Sequence, residues 1–101
     1  MPGCSTENNT DYSGHDIGHI NNIASEAACR NVCQNNQMCK FWTWVTPSYN
    51  GEADQWVRLR CYLKSSDAGK RQIAGVVSGT RICDSGKAVL FTPVIELVLF
   101  F

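Results

Sequence analysis

Six cysteines in a chain of 101 residues, at Cys4, Cys29, Cys33, Cys39, Cys61 and Cys83, constrain this sequence more than anything else in it. Their number is even, as full pairing requires, and spacing alone does not select one pairing among the many available. Cytosolic thiols are kept reduced, so a paired set points to an oxidising compartment and an extracellular or secreted location, free or as the ectodomain of a surface protein. A chain this short has a small core for its surface. Each long loop closed by a disulfide would add about 3–5 kcal/mol, comparable with the whole net stability of a small domain. The expectation is one disulfide-stapled domain over residues 1–87, followed by an apolar segment over 88–101.

The cysteine spacing argues against two other frameworks. Structural zinc favours C-x2-C pairs with a matching second pair, whereas the close cluster here is C-x3-C-x5-C and is preceded only by His15 and His19, read as plain loop residues. Small toxin frameworks that carry C-x3-C on a helix need a C-x-C strand to meet it, and Cys61 and Cys83 are far apart. Asp11 and Asp16 lack the Asp-rich loop of a calcium site. No metal and no cofactor is expected.

Local patterns give the elements. The first 22 residues, rich in Asn, Asp, Ser, Gly and Thr, read as loop or short edge strand. Ser25 can cap a helix over Glu26 to Asn35, with Glu26 in the first turn favoured by the helix dipole. Ala28, Cys29, Val32 and Cys33 form one stripe of that helix, so both cysteines face the core. Lys40 to Thr46 is aromatic and β-branched and ends at Pro47, as a strand should. Trp42 and Trp44 share its one face, opposite Phe41 and Val45, and are expected to be buried by a neighbouring layer. Gln55 to Lys64 alternates, with Val57, Leu59, Cys61 and Leu63 on one side and Trp56, Arg58, Arg60, Tyr62 and Lys64 on the other, and reads as a half-buried strand. Ser65 to Gly69 is a turn, and Ile73 to Cys83 reads as one or two short strands interrupted by glycines. The class is α+β, an antiparallel sheet on one helix. Ala88 to Phe101 is apolar but too short for an ordinary membrane-spanning helix. It is expected to add a strand, cover the domain, pair with another copy or a partner, or be part of a membrane segment, so membrane contact stays open.

Several of these pieces, in their order and spacing, resemble the PAN/apple domain family. They are the Ser25-Glu26-Ala27-Ala28 helix start, Cys29-x3-Cys33-x5-Cys39, the aromatic strand after Cys39, Cys61-Tyr62-Leu63-Lys64, and Ser78-Gly79 before Cys83. The upstream segment Asp11 to Ile17 also looks like the family's opening, so the resemblance covers Cys4 to Cys83. It implies a curved antiparallel sheet cradling one helix, with Cys4 paired to Cys83, Cys29 to Cys61, and Cys33 to Cys39. It also implies a non-catalytic module that binds proteins or carbohydrates, without fixing the ligand.

Charge locates a candidate site. Net charge is zero, which argues against a general nucleic-acid binder. Residues 1–57 nevertheless carry six acids against two bases, and residues 58–87 seven bases against Asp67 and Asp84. Trp56, Arg58, Arg60, Tyr62 and Lys64, with Lys70, Arg71 and Arg81 nearby, would form a basic, aromatic face suited to an anionic glycan or a protein partner. The other reading is an assembly module that self-associates through residues 88–101. Asn8-Asn9-Thr10 is an N-glycosylation sequon on Asn8. No apolar leader opens the chain at Met1-Pro2-Gly3-Cys4, so a removed signal or a longer parent protein is expected. No serine sits in a nucleophile elbow and the cysteines are committed to disulfides, so no enzyme is expected.

Overall fold

Ser25 starts the helix around which the sheet is built: its hydroxyl accepts a hydrogen bond from the Ala28 amide at 3.1 Å, satisfying one orphan donor of the first turn. The structure, a computed structural model, describes residues 5–51 and 54–82. Along the chain, strands β1 (Thr6–Tyr12) and β2 (Asp16–Ile20) precede helix α1 (Glu26–Gln34), and β3 (Phe41–Val45), β4 (Cys61–Lys64) and β5 (Lys70–Thr80) follow it. The strands form one antiparallel sheet in the order β1-β5-β3-β4-β2. This is the α+β architecture the sequence predicts.

Alternation along β3 divides the sheet into two faces. Trp42 and Trp44 stand opposite Leu63 and Cys61 of β4 and enter one buried cluster with Cys29, Cys33, Cys39 and Val77. The indoles therefore face the helix, which is the layer that buries them. Each also satisfies its ring N–H, Trp42 on the Thr80 carbonyl at 2.9 Å and Trp44 on the Ile23 carbonyl at 2.8 Å. Gly79 lies flat against Trp42, where an added Cβ would meet the indole at 2.5 Å. Cys29–Cys61 ties helix to sheet across this core and Cys33–Cys39 ties the helix end to the start of β3, as the resemblance implies. Cys4 and Cys83, residues 88–101 and the expected boundary at residue 87 lie outside the described residues.

Three expectations change. The polar N-terminal region, read as loop or short edge strand, supplies both edge strands, and the change is that His19 lies within β2 rather than in a loop. The segment after the glycine-rich turn is one continuous strand from Lys70, bent at Gly75, whose φ of 89° only glycine adopts without strain.

The third change concerns Gln55 to Lys64. Gln55–Val57 is a 3-10 turn, Leu59 is left-handed at φ 68°, and only Cys61–Lys64 is strand. Val57 consequently packs with Val45 and Val76 on the face away from the helix, whereas Cys61 and Leu63 face it. The alternation is real in sequence but does not survive the turn at residues 55–60.

Candidate functional site

The sheet face away from the helix carries a largely polar cavity. Thr43 and Val45 of β3, Tyr62 and Lys64 of β4, and Ile73 and Val76 of β5 floor a cavity of about 290 Å³. The β1–β2 corner walls it with Asp11, Ser13, Gly14 and Asp16, and the segment after β3 contributes Tyr49, Asp54 and Val57. Gly75 permits the close approach of that second wall, since a Cβ there would stand 2.6 Å from the Tyr49 Cα. Beneath the floor, the buried Thr43 and Ser78 hydroxyls share a 2.6 Å hydrogen bond, and Ser78 donates to the Thr10 carbonyl at 2.7 Å.

Charges in the cavity are arranged in pairs. The Lys64 side chain is only 4% exposed and its ammonium is paired with the Asp16 carboxylate, which is 50% exposed. An ammonium this buried requires such a partner. Lys64 Nζ also donates to the Gly14 carbonyl at 3.4 Å and lies 5.3 Å from the Tyr62 ring centroid. Arg71 Nε donates to Asp11 at 3.2 Å, and Tyr49 donates its hydroxyl to Asp54 at 2.7 Å. That bond to a carboxylate, with a smaller contribution from burial, raises the Tyr49 pKa above its ordinary value. The cavity thus interleaves carboxylate acceptors with ammonium, guanidinium and phenol groups around the Tyr62 ring. Polar groups of both kinds beside a flat apolar surface suit a polyhydroxylated ligand, each hydroxyl of which both donates and accepts.

The five residues predicted to form one strand face are split by the turn. Tyr62 and Lys64 line the cavity, and Lys64 is buried rather than displayed. Arg60 sits beyond Tyr62, its guanidinium 5.6 Å from that ring centroid and 4.7 Å from the centroid of Trp56, which is 70% exposed. Arg58 turns elsewhere, its Nε donating to the Tyr49 carbonyl at 2.6 Å.

Among the described residues, Lys70, Arg71 and Arg81 of the wider basic region are held by partners. Lys70 pairs with Glu7 and Asp67, Arg71 pairs with Asp11, and Arg81 donates to the Gln34, Gln37 and Cys39 carbonyls at the end of the helix. Acids from the first half of the chain reach bases in the second through strand pairing, β1 to β5 and β2 to β4. Asp11, Asp16, Asp54 and Tyr49 are the cavity residues that the sequence did not single out as a ligand site. Their signal is visible only in the register that sets Asp16 opposite Lys64 and Asp11 opposite Arg71.

Among the described residues no cluster of three or more His, Cys, Asp or Glu side chains is arranged to hold a metal ion. Asn8 is exposed on β1, and the buried Thr10 donates its hydroxyl to the Asn8 carbonyl at 3.0 Å.

Comparison with known proteins agrees with this architecture. The sequence model of the PAN domain matches residues 10–64, more than half of the chain. The two N-terminal apple domains of Toxoplasma gondii microneme protein 4 are similar in structure, with a TM-score of 0.53 and 25% identity over 74% of this chain. The chain spans 43% of that two-domain protein fragment. A PAN module from Eimeria tenella aligns over 82% of this chain and 78% of its own length, with 26% identity and a TM-score of 0.48. Curated proteins include no significant match.

Proposed function

This chain belongs to the PAN domain family, and from that premise we propose that it is a non-catalytic, extracellular recognition module that binds a carbohydrate in the cavity on the helix-free face of its sheet. The observation that carries this reading is the setting of Tyr62: an aromatic surface in a concave site, flanked by the Lys64–Asp16 pair and faced by the Asp11, Asp54 and Tyr49 groups. Ligand cavities generally span about 300–1,000 Å³, and this one lies at the small end, suited to a single sugar ring rather than a long segment of chain. Three carboxylates against two cations make it a poor trap for an anion taken alone, so the cavity favours a neutral ring over the anionic glycan expected to meet a basic face.

Family membership supports the choice of a carbohydrate or protein ligand, and paired cysteines support an oxidising, extracellular setting. The non-catalytic reading is supported by the chemistry of the buried hydroxyls, which bond one another and a backbone carbonyl rather than a general base.

A glycan array probed with the intact chain, beside its Tyr62→Ala variant, tests the proposal. The expected result is a restricted set of bound glycans lost on removing the ring. Binding of no glycan, or equal binding by Tyr62→Ala, overturns it.

A further inference from the structure

Beyond Tyr62 the surface changes character, and Arg60 is the reason. Its guanidinium lies between two rings, 4.7 Å from the Trp56 centroid and 5.6 Å from that of Tyr62. Its Nε donates to Asn21 Oδ1 at 2.8 Å and one terminal nitrogen reaches the Tyr62 hydroxyl at 3.4 Å. Two rings and an amide thus hold a planar fork in one orientation, with donors left over, since a guanidinium carries five N–H groups. Among the described residues no carboxylate lies within ion-pair distance of it, whereas Lys64 and Arg71 each have one and Lys70 has two. The left-handed Leu59, which breaks the expected strand, accompanies this placement of Arg60 beside the exposed Trp56.

We infer that Arg60, with Trp56, forms a second subsite for an acidic substituent, a sulfate or a carboxylate, carried by the sugar held in the cavity. The inference rests on the carbohydrate reading above and specifies its ligand class. Tyr62 is the link: its ring lines the cavity and its hydroxyl touches Arg60. A ring seated against Tyr62 therefore directs a neighbouring substituent onto a guanidinium already oriented to receive two oxygens. Oxyanions are bound well by such forks because two parallel charge-assisted hydrogen bonds form without reorienting the donor. The cavity discriminates the ring and Arg60 discriminates its charge.

The test uses the intact chain against an array carrying each glycan core in matched neutral, carboxylated and sulfated forms, followed by titration of the best core. Acidic forms are expected to bind about tenfold more tightly than the neutral core, with the advantage eroded by raising salt. Arg60→Gln should remove that advantage and leave neutral-core affinity unchanged, and Trp56→Ala should reduce it partly. Carboxylated and sulfated arms identify which oxyanion is the source. Equal affinity for neutral and acidic forms, or an Arg60→Gln variant that weakens both alike, overturns this inference and leaves the cavity reading standing. Binding of no core overturns both. Competition by poly-L-glutamate as effective as that of the acidic glycan would assign the surface to an acidic peptide and likewise overturn the inference.

Discussion

The two faces of the sheet are built from the same short strands and do opposite work. Toward the helix, Trp42, Trp44, Cys61, Leu63 and Val77 close over two disulfides and leave almost nothing for water to reach. On the other side the intervening residues, Thr43, Tyr62 and Lys64, floor an open cavity whose charges are paired with acids from the β1–β2 corner. The lesson is a division of labour set by the period of two along a strand. One parity holds the domain together, which leaves the other free to carry polar and charged groups that a small core could not tolerate.

That division predicts how substitutions sort, and the largest effects should fall on the helix face. Trp42→Ala removes a fully buried indole and is expected to cost about 3–5 kcal/mol, read as a loss in urea midpoint. Replacing Cys29 and Cys61 together by alanine opens a closed loop with sequence separation 32 and should cost about 3–4 kcal/mol by the same measurement. None of these three residues lines the cavity, so any folded fraction should keep its ligand affinity.

On the opposite face the sign of the comparison reverses. Gly75→Ala sits between the classes, since it strains a backbone at φ 89° and pushes a methyl group into Tyr49. A stability loss of about 1–3 kcal/mol is expected, with weakened binding as the cavity wall shifts. Lys64→Met leaves a half-exposed Asp16 that water can resolvate, so about 1 kcal/mol of stability should be lost while ligand affinity falls steeply. If Lys64→Met unfolds the chain as thoroughly as Trp42→Ala, the division between the faces is wrong.

The smallest effect concerns alkaline pH. Burial, and the 2.5 Å hydrogen bond it donates to Glu7, push the Tyr12 phenol above its ordinary value, and the bond to Asp54 does the same for Tyr49. In this range the unfolded chain loses these protons first. Stability is therefore complete below about pH 10 and declines as pH rises above it. Tyr12→Phe should flatten part of that decline in denaturation series run across alkaline pH.

What was legible in the sequence follows the same two faces. Helix α1 and β3 were found within a residue or so because Ser25, the Cys29/Cys33 stripe and the run Phe41–Val45 carry strong local signals. The cavity was not found, because it is assembled from residues far apart in sequence. Asp16 meets Lys64 only through the pairing of β2 with β4, and Asp11 meets Arg71 only through that of β1 with β5. The strand expected over Gln55–Lys64 failed for a local reason, the 3-10 turn and the left-handed Leu59. That failure took Trp56, Arg58 and Arg60 out of the strand that carries Tyr62 and Lys64, and turned one predicted strip into a cavity and a flanking guanidinium.

The three tryptophans supply the most direct test, since each reports on a different place. Trp42 and Trp44 lie in the helix-side core and Trp56 lies beside Arg60. Their indole N–H resonances should be followed in a two-dimensional NMR titration with the best acidic glycan from the array. The account predicts that the Trp56 resonance and the backbone amides of Thr43, Tyr62 and Lys64 shift, while the Trp42 and Trp44 indoles stay where they are. Shifts confined to the Trp42 or Trp44 indoles and the helix amides would place the binding face on the wrong side of the sheet and contradict it.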